Sequence, residues 1–230
     1  MSNITIRNHP KYPRIYVSGS LENPRLYTIN KTPGKRVYDE RLIHYEGIEY
    51  REWDPYRSKL AAIILQNPIK DYLRKGLNCL YLGAASGTTV SHLSDILEEG
   101  TIFAVEFAER SIRQLVQNTN NRENIIPILG DARHPADYSR NIFTDVDLIY
   151  QDVAQPNQAE IAISNTKQYL KEDGILILVI KTQSIDSISK SDKTYKKEKS
   201  TLLGANFEIL ETLNINRYAA EHMVLIAQKK

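Results

Sequence analysis

Cysteine occurs once in the 230 residues, at Cys79, which excludes an internal disulfide and any cysteine-based zinc site. No metal ligand set is expected. Long apolar runs are also missing: the stretch Ile175 to Ile180 is as long as any, and far too short to cross a bilayer. The opening Met1-Ser2-Asn3-Ile4-Thr5-Ile6-Arg7 lacks the charged-then-apolar layout of a secretory leader. A reduced, cytoplasmic setting without a membrane partner is therefore expected. Net charge is nearly absent too, with 30 Lys+Arg against 28 Asp+Glu. Taken whole, that balance disfavours a tight nucleic-acid binder, because neutralising phosphate dominates such affinity.

The total hides a division. Residues 1–76 carry 14 basic and 8 acidic side chains, whereas residues 77–230 carry 16 and 20. A hydrophobic share of 41% and a charged share of 25% belong to a globular protein and exclude global disorder.

The chain reads as two regions. Up to residue 56, short runs such as Ile15-Tyr16-Val17, Leu26-Tyr27-Thr28-Ile29 and Val37-Tyr38 alternate with Pro- or Gly-containing turns. Leu42 to Tyr50 reads as a hairpin turning at Glu46-Gly47. This predicts a small β-rich domain over residues 1–56. From 57 to 230, helical and strand patterns alternate. Ser58 caps a helix through Leu65. Cys79–Leu82, Thr101–Val105, Ile125–Ile128, Val146–Tyr150 and Ile175–Ile180 read as strands. Between them lie helices, one with Val90, Leu93 and Leu97 inward and one with Ile112, Leu115 and Val116 inward. A third opens at Pro156, runs through Leu170 and ends at Gly174. A polar helix over about Asp192–Leu203 follows, then a hairpin of Phe207–Leu210 and Met223–Ile226. Continuous apolar strands between helices mean an α/β fold with a mostly parallel, doubly covered sheet.

Ligands of open α/β sheets bind beyond the carboxyl ends of the strands. There the first strand runs into Gly83-Ala84-Ala85-Ser86-Gly87-Thr88-Thr89, a loop of small residues. It has neither the spacing nor the lysine of a P-loop, and of the dinucleotide fingerprint only Gly83 is in place. Phosphate cradling is disfavoured. Glu106 ends the second strand, where a carboxylate commonly accepts two ribose hydroxyls. Asp131 follows the third strand, where an acid can meet an adenine amino group, and Asp152 follows the fourth. One such acid is ordinarily just solvated, but the series fits an adenosine ligand without phosphates and points to S-adenosylmethionine. Lys59, Lys181 and His222 stand at the ends of other elements. Lys181 has no structural necessity there, and either a surface lysine or an ion pair with Asp152 would account for it. Residues alone leave open a methyltransferase for proteins or small molecules, or a scaffold that has lost catalysis.

Several segments carry a family resemblance. Ser58-Lys59-Leu60-Ala61-Ala62, Tyr81 to His92, Asn124 to Ala132, Asp152 to Ala159 and Ser184-Ile185-Asp186 closely resemble the fibrillarin family, over roughly residues 35–227. The likeness is to the shorter archaeal type, since ten glycines leave no room for a Gly/Arg-rich tail. The resemblance implies a Rossmann-like S-adenosylmethionine-dependent fold and RNA 2′-O-methylation of rRNA or tRNA. It would place cofactor contacts on Gly83, Ala84, Thr88, Thr89, Glu106, Phe107, Asp131, Ala132, Asp152, Val153, Ala154 and Gln155. Its catalytic set would fall on Lys59, Asp152, Lys181 and His222, with Lys181 as base. A lysine at its ordinary pKa of about 10.4 is protonated at neutral pH, so such a base needs desolvation or neighbouring positive charge. The implied partners are a Nop-domain scaffold, a kink-turn-binding ribosomal-type protein, a box C/D guide RNA and the target RNA. The sequence departs from the family pattern at Gln151, at Thr182-Gln183 and at Ala220-Glu221 before His222.

Overall fold

The computed structural model describes residues 4–20, 22–182 and 188–230. Its first sheet is antiparallel, with β1 (Arg7–Asn8), β2 (Tyr16–Ser18), β3 (Arg25–Ile29), β4 (Leu42–Tyr45) and β5 (Ile48–Trp53) in the order β1-β2-β3-β5-β4. Glu46 and Gly47 join β4 to β5 with φ of 50° and 77°, the left-handed pair that a two-residue hairpin turn needs. Val37-Tyr38 is not a strand. The Glu40 carboxylate accepts both backbone N–H groups at 2.8–3.0 Å, so the donors a ladder would use are taken.

After α1 (Lys59–Leu65) come β6 (Cys79–Leu82), α2 (Thr88–Leu97), β7 (Ile102–Glu106), α3 (Glu109–Thr119), β8 (Ile125–Leu129) and β9 (Val146–Gln151). Then follow α4 (Gln158–Tyr169), β10 (Leu170–Lys181), α5 (Ile188–Gly204), β11 (Phe207–Asn214) and β12 (His222–Lys229). The seven strands lie in the order β11-β12-β10-β9-β6-β7-β8. β10, β9, β6, β7 and β8 are parallel, and the β11–β12 hairpin adds antiparallel to β10. This is the mostly parallel, Rossmann-like sheet expected. Successive units run outward from β6 to β8, then β9 returns to the other side of β6. That reversal makes the gap between β6 and β9 the switch point where ligands of such sheets bind.

Strand residues alternate between two cores. Tyr81, Tyr150 and Ile177 pack with α1, α2 and α3, whereas Leu80, Ile149 and Leu178 pack with α4 and α5. Cys79 lies inside, and burial pushes its thiol up to about 12, which leaves it inert.

Expectations for three helices are corrected. Val116 is 49% exposed; the inward face of α3 is Ile112, Leu115 and Thr119. Pro156 stands outside α4, whose cap is Asn157 with φ 59°. That helix stops at Tyr169, not Gly174, because Leu170 already pairs with Val146. Gly174 falls at an irregularity inside β10, where a Cβ would meet the Leu170 side chain at 2.6 Å. α5 starts at Ile188, ahead of the expected Asp192. Ser184-Ile185-Asp186, and Gln183 before it, lie outside the described residues.

The antiparallel sheet is bonded to α2 through buried charge. Arg51 reaches Glu40 and Asp95 at 2.7 Å each, and Arg122 reaches the other Asp95 oxygen at 2.6 Å. Two guanidinium groups thus meet two carboxylates and the cluster closes electrically, as buried ions require. His92 completes it. Thr28 Oγ1 gives its proton to Asp95 at 2.9 Å, so it accepts from His92 Nδ1 at 2.8 Å, while Tyr38 donates to His92 Nε2 at 2.6 Å. Burial, with Arg51 and Arg122 alongside, holds this imidazole well below its ordinary pKa and hence neutral.

Candidate active site

Lys59 is the first residue of α1, directly after Ser58. Ser58 caps the helix from an extended backbone, accepting the Ala61 N–H at 3.4 Å. Helix geometry thus aims Lys59 at the carboxyl end of β9, where Nζ lies 2.7 Å from Asp152 Oδ2. Both side chains are partly buried, at 29% and 22% exposure. The partner of Asp152 is therefore Lys59, and Lys59 is not a free residue on an amphipathic surface.

Lys181 and His222 face each other across β10 and β12 as registered partners. His222 is half-buried, and its Nδ1 lies 2.6 Å from the Ala220 carbonyl. A carbonyl only accepts, so Nδ1 carries the proton and Nε2 keeps a lone pair. Burial lowers the His222 pKa, Lys59 and Lys181 lower it further, and Asp152 and the Ala220 bond oppose them. These influences place all four candidate catalytic residues in one electrostatic neighbourhood, drawn from α1, the end of β9, β10 and β12.

The small-residue loop is tied to the same edge. Gly83 has φ +86°, and a Cβ there would lie 2.3 Å from the Asp152 carbonyl oxygen. Its smallness serves the approach of β6 to the end of β9. Gly87, with φ +95°, caps α2 and lets Thr88 and Thr89 open that helix. Thr89 Oγ1 lies 2.9 Å from Ser58 Oγ, a buried contact that joins the loop to the helix of Lys59.

Glu106 is buried at the end of β7. Its two oxygens accept the N–H of Ala85 at 2.8 Å and of Ala108 at 2.9 Å. Each carboxylate oxygen retains a second acceptor position, so two ribose hydroxyls can still be accommodated. Phe107, 61% exposed, offers a flat apolar ring next to it. Asp131 stands half-buried after β8 with Ala132 buried beside it; the Arg133 guanidinium holds its carboxyl below the usual range. Ala84 is buried, Ala154 exposed, and Val153 and Gln155 intermediate, along the loop that follows Asp152. A loop without lysine, a free carboxylate acceptor pair and an exposed ring suit an adenosine group that lacks phosphates.

Gln158 is a structural element of the site that no motif singles out. It is buried at the start of α4, its Oε1 accepts the Lys181 backbone N–H at 3.1 Å and its Nε2 donates to the Val153 carbonyl at 3.0 Å. Gln151, where the family pattern has an acid, donates from Nε2 to the Gln158 carbonyl at 2.7 Å. Its Oε1 is buried without a hydrogen-bond partner among the described residues, a cost that a neutral amide bears more cheaply than an unpaired carboxylate would.

A family model described as fibrillarin matches residues 6–230. The chain belongs to the fibrillarin family. A fibrillarin-like rRNA/tRNA 2′-O-methyltransferase of Pyrobaculum calidifontis is 47% identical to it over 230 residues, covering 98% of each chain. Among solved structures, Aeropyrum pernix fibrillarin, crystallised with natively bound S-adenosyl-L-methionine, superposes with a TM-score of 0.90. It is 41% identical, over 99% of this chain and 100% of that one. A fibrillarin in complex with Nop5p is similar at a TM-score of 0.79 and 42% identity, over 90% and 94% of the two chains.

Proposed function

We propose that this chain is an S-adenosylmethionine-dependent RNA 2′-O-methyltransferase acting on rRNA and tRNA. The observation that carries the reading is the convergence of Lys59, Asp152, Lys181 and His222 on the sheet edge that also carries Glu106. Relatives and a cofactor-bound structure of the family support it. In this reading Glu106 accepts the ribose hydroxyls of the cofactor and Phe107 packs on its base. Asp131, Ala132 and the stretch Asp152 to Gln155 complete the adenosine and methionine contacts, with Gly83, Ala84, Thr88 and Thr89 closing the loop side.

When bound, S-adenosylmethionine supplies a methyl group activated on a positively charged sulfur. The residues of the chain do the rest. Asp152 aims the Lys59 ammonium, and Lys59 and His222 orient the ribose so that its oxygen is held in line, a geometric contribution that can be large. Lys181 Nζ, in its neutral amine form, takes the 2′-hydroxyl proton and becomes the ammonium as the oxygen–methyl bond forms. A second route rests on one specific observation: His222 Nδ1 faces the Ala220 carbonyl, and among the described residues no donor bonds its Nε2, so with its pKa lowered chiefly by burial it also qualifies as acceptor.

The particle in this reading is a box C/D ribonucleoprotein in the cytoplasm. A Nop-domain scaffold holds the chain, a kink-turn-binding ribosomal-type protein anchors the guide, and pairing with the guide selects the nucleotide. A Nop5p complex of a relative supports the scaffold. Among the described residues no helix is long and apolar enough to cross a membrane. A division at residues 56/57 into two domains belongs to the same proposal. Calorimetry with S-adenosylmethionine tests the cofactor assignment: wild type binds, and Glu106→Ala loses at least tenfold in affinity. Equal binding by both proteins would remove Glu106 from the site.

A further inference from the structure

Two dipeptides far apart in sequence, each a few residues before a member of the candidate catalytic set, meet in the fold. Tyr56-Arg57 immediately precedes Ser58-Lys59, and Arg217-Tyr218 lies in the β11–β12 connection ahead of His222. The Tyr56 and Tyr218 rings are 5.3 Å apart at 70°, edge to face, and Tyr56 is 68% exposed. The Arg57 guanidinium lies over the Tyr38 ring at 5.1 Å, and that of Arg217 over Tyr218 at 5.3 Å. Neither makes an ion pair among the described residues. All of these side chains line one cavity of about 450 Å³.

The acids on its wall are mostly engaged. Glu40 is spent on Arg51, Glu52 faces Arg25 and Arg41 at 3.8 and 3.6 Å, and Asp54 accepts the Tyr56 N–H at 2.8 Å. Asp39 remains. What the cleft presents, beside Asp39, Glu40, Glu52 and Asp54, is an exposed tyrosine ring propped by a second one and two guanidinium planes that make no ion pair among the described residues. Rings of this kind stack on any nucleobase, and guanidinium forks match phosphate oxygens. An apolar protein segment would leave the arginines without partners.

We propose that this cleft is a nucleotide subsite. It stacks a base of the target strand on the exposed Tyr56 ring, which Tyr218 props, and holds an adjacent phosphate with Arg57 and Arg217. The inference rests on the RNA-modifying reading above and extends it. The loops that carry Lys59 and His222 to the reacting ribose carry the stacking pair as well, so one strand engages both. Every base has a π face, so the subsite adds affinity and register without reading sequence.

The test uses the full chain in the guided particle, with the variant pairs Tyr56→Ala/Tyr218→Ala, Tyr56→Phe/Tyr218→Phe and Arg57→Gln/Arg217→Gln. The alanine pair is expected to raise KM for target RNA about tenfold while cofactor affinity by calorimetry stays unchanged. The phenylalanine pair, which keeps both rings, behaves as wild type. The glutamine pair reduces the slope of log affinity against log salt for a single-stranded oligoribonucleotide by about 0.7, one phosphate's worth. An oligoribonucleotide carrying 2-aminopurine reads stacking without catalysis: wild type quenches it and the alanine pair does not. Wild-type KM and quenching in the alanine pair, with wild type active, overturn the subsite alone. Loss of scaffold association by that pair, with quenching intact, makes the cleft a protein-docking surface and equally overturns it. A wild-type particle that places no 2′-O-methyl group sinks the underlying functional reading instead.

Discussion

Ser58 Oγ lies 2.9 Å from Thr89 Oγ1, and through that contact the cap of the helix bearing Lys59 is bonded to the loop expected to hold the cofactor. Neither hydroxyl is accessible, Ser58 being 2% and Thr89 8% exposed. Ser58→Ala removes the cap and leaves Thr89 Oγ1 short of a partner. Urea unfolding is expected to show a loss of about 1–2 kcal/mol. Ser58→Thr retains most of that stability. A Ser58→Ala protein as stable as wild type would mean the contact contributes nothing.

Asp95 is the acid between two buried guanidinium groups. Asp95→Asn keeps its shape and leaves Arg51 and Arg122 with Glu40 as the remaining carboxylate. A buried ion stripped of its partner typically costs about 3–5 kcal/mol, and equilibrium denaturation should register a loss of that order. A change below 1 kcal/mol would show that the cluster is not electrically closed in the way described.

His92 sets a pH signature. Its folded pKa lies below the unfolded value, so above about pH 6.5 neither state binds the proton and the group is silent. Below that, the unfolded chain takes up a proton that the native state refuses, and stability falls by about 1.4 kcal/mol per pH unit for one such group. The half-buried His222 acts in the same direction. His92→Gln should therefore flatten the decline between pH 6.5 and 5 by up to one proton. An unchanged slope would mean that His92 is protonated in the native protein.

How the proton leaves the ribose is tested by single-turnover methylation. Lys181→Ala is expected to bind cofactor normally and to lose at least about a hundredfold in rate, the ordinary scale for a removed base. A full rate in that variant, with a comparable fall in His222→Asn, moves the proton to His222 Nε2. The rate would then decline only below the lowered pKa of His222.

Much of this architecture was legible in the sequence, because apolar periodicity and strand-end acids follow from burial and sheet topology alone. Cys79–Leu82, Val146–Tyr150 and the Glu46-Gly47 turn stand where their patterns put them. The failures are instructive. Val37-Tyr38 has the composition of a strand, but a carboxylate three residues on captured its amides. Leu170 reads equally as the end of a helix or the start of a strand, and pairing with Val146 decided the matter. The ion pair with Asp152 that would account for Lys181 is made instead by Lys59, 93 positions from it in sequence, a contact no local pattern encodes. The meeting of Tyr56-Arg57 with Arg217-Tyr218 was invisible for the same reason.

The charge division reads differently once these positions are known. Near neutrality first disfavoured a nucleic-acid substrate, yet the basic first region reaches the catalytic edge through Lys59. Isolated protein should therefore bind RNA weakly and with strong salt dependence, tight affinity arising only in the particle.

The most direct measurement assembles the chain with a Nop-domain scaffold, a kink-turn-binding protein and a box C/D guide, supplies guide-matched RNA and S-adenosylmethionine, and maps the modified position. A single 2′-O-methyl group at the nucleotide fixed by guide pairing, absent when the guide or scaffold is withheld, is the predicted result. Methyl groups on bases or protein, or a methylation pattern indifferent to the guide, would contradict the account.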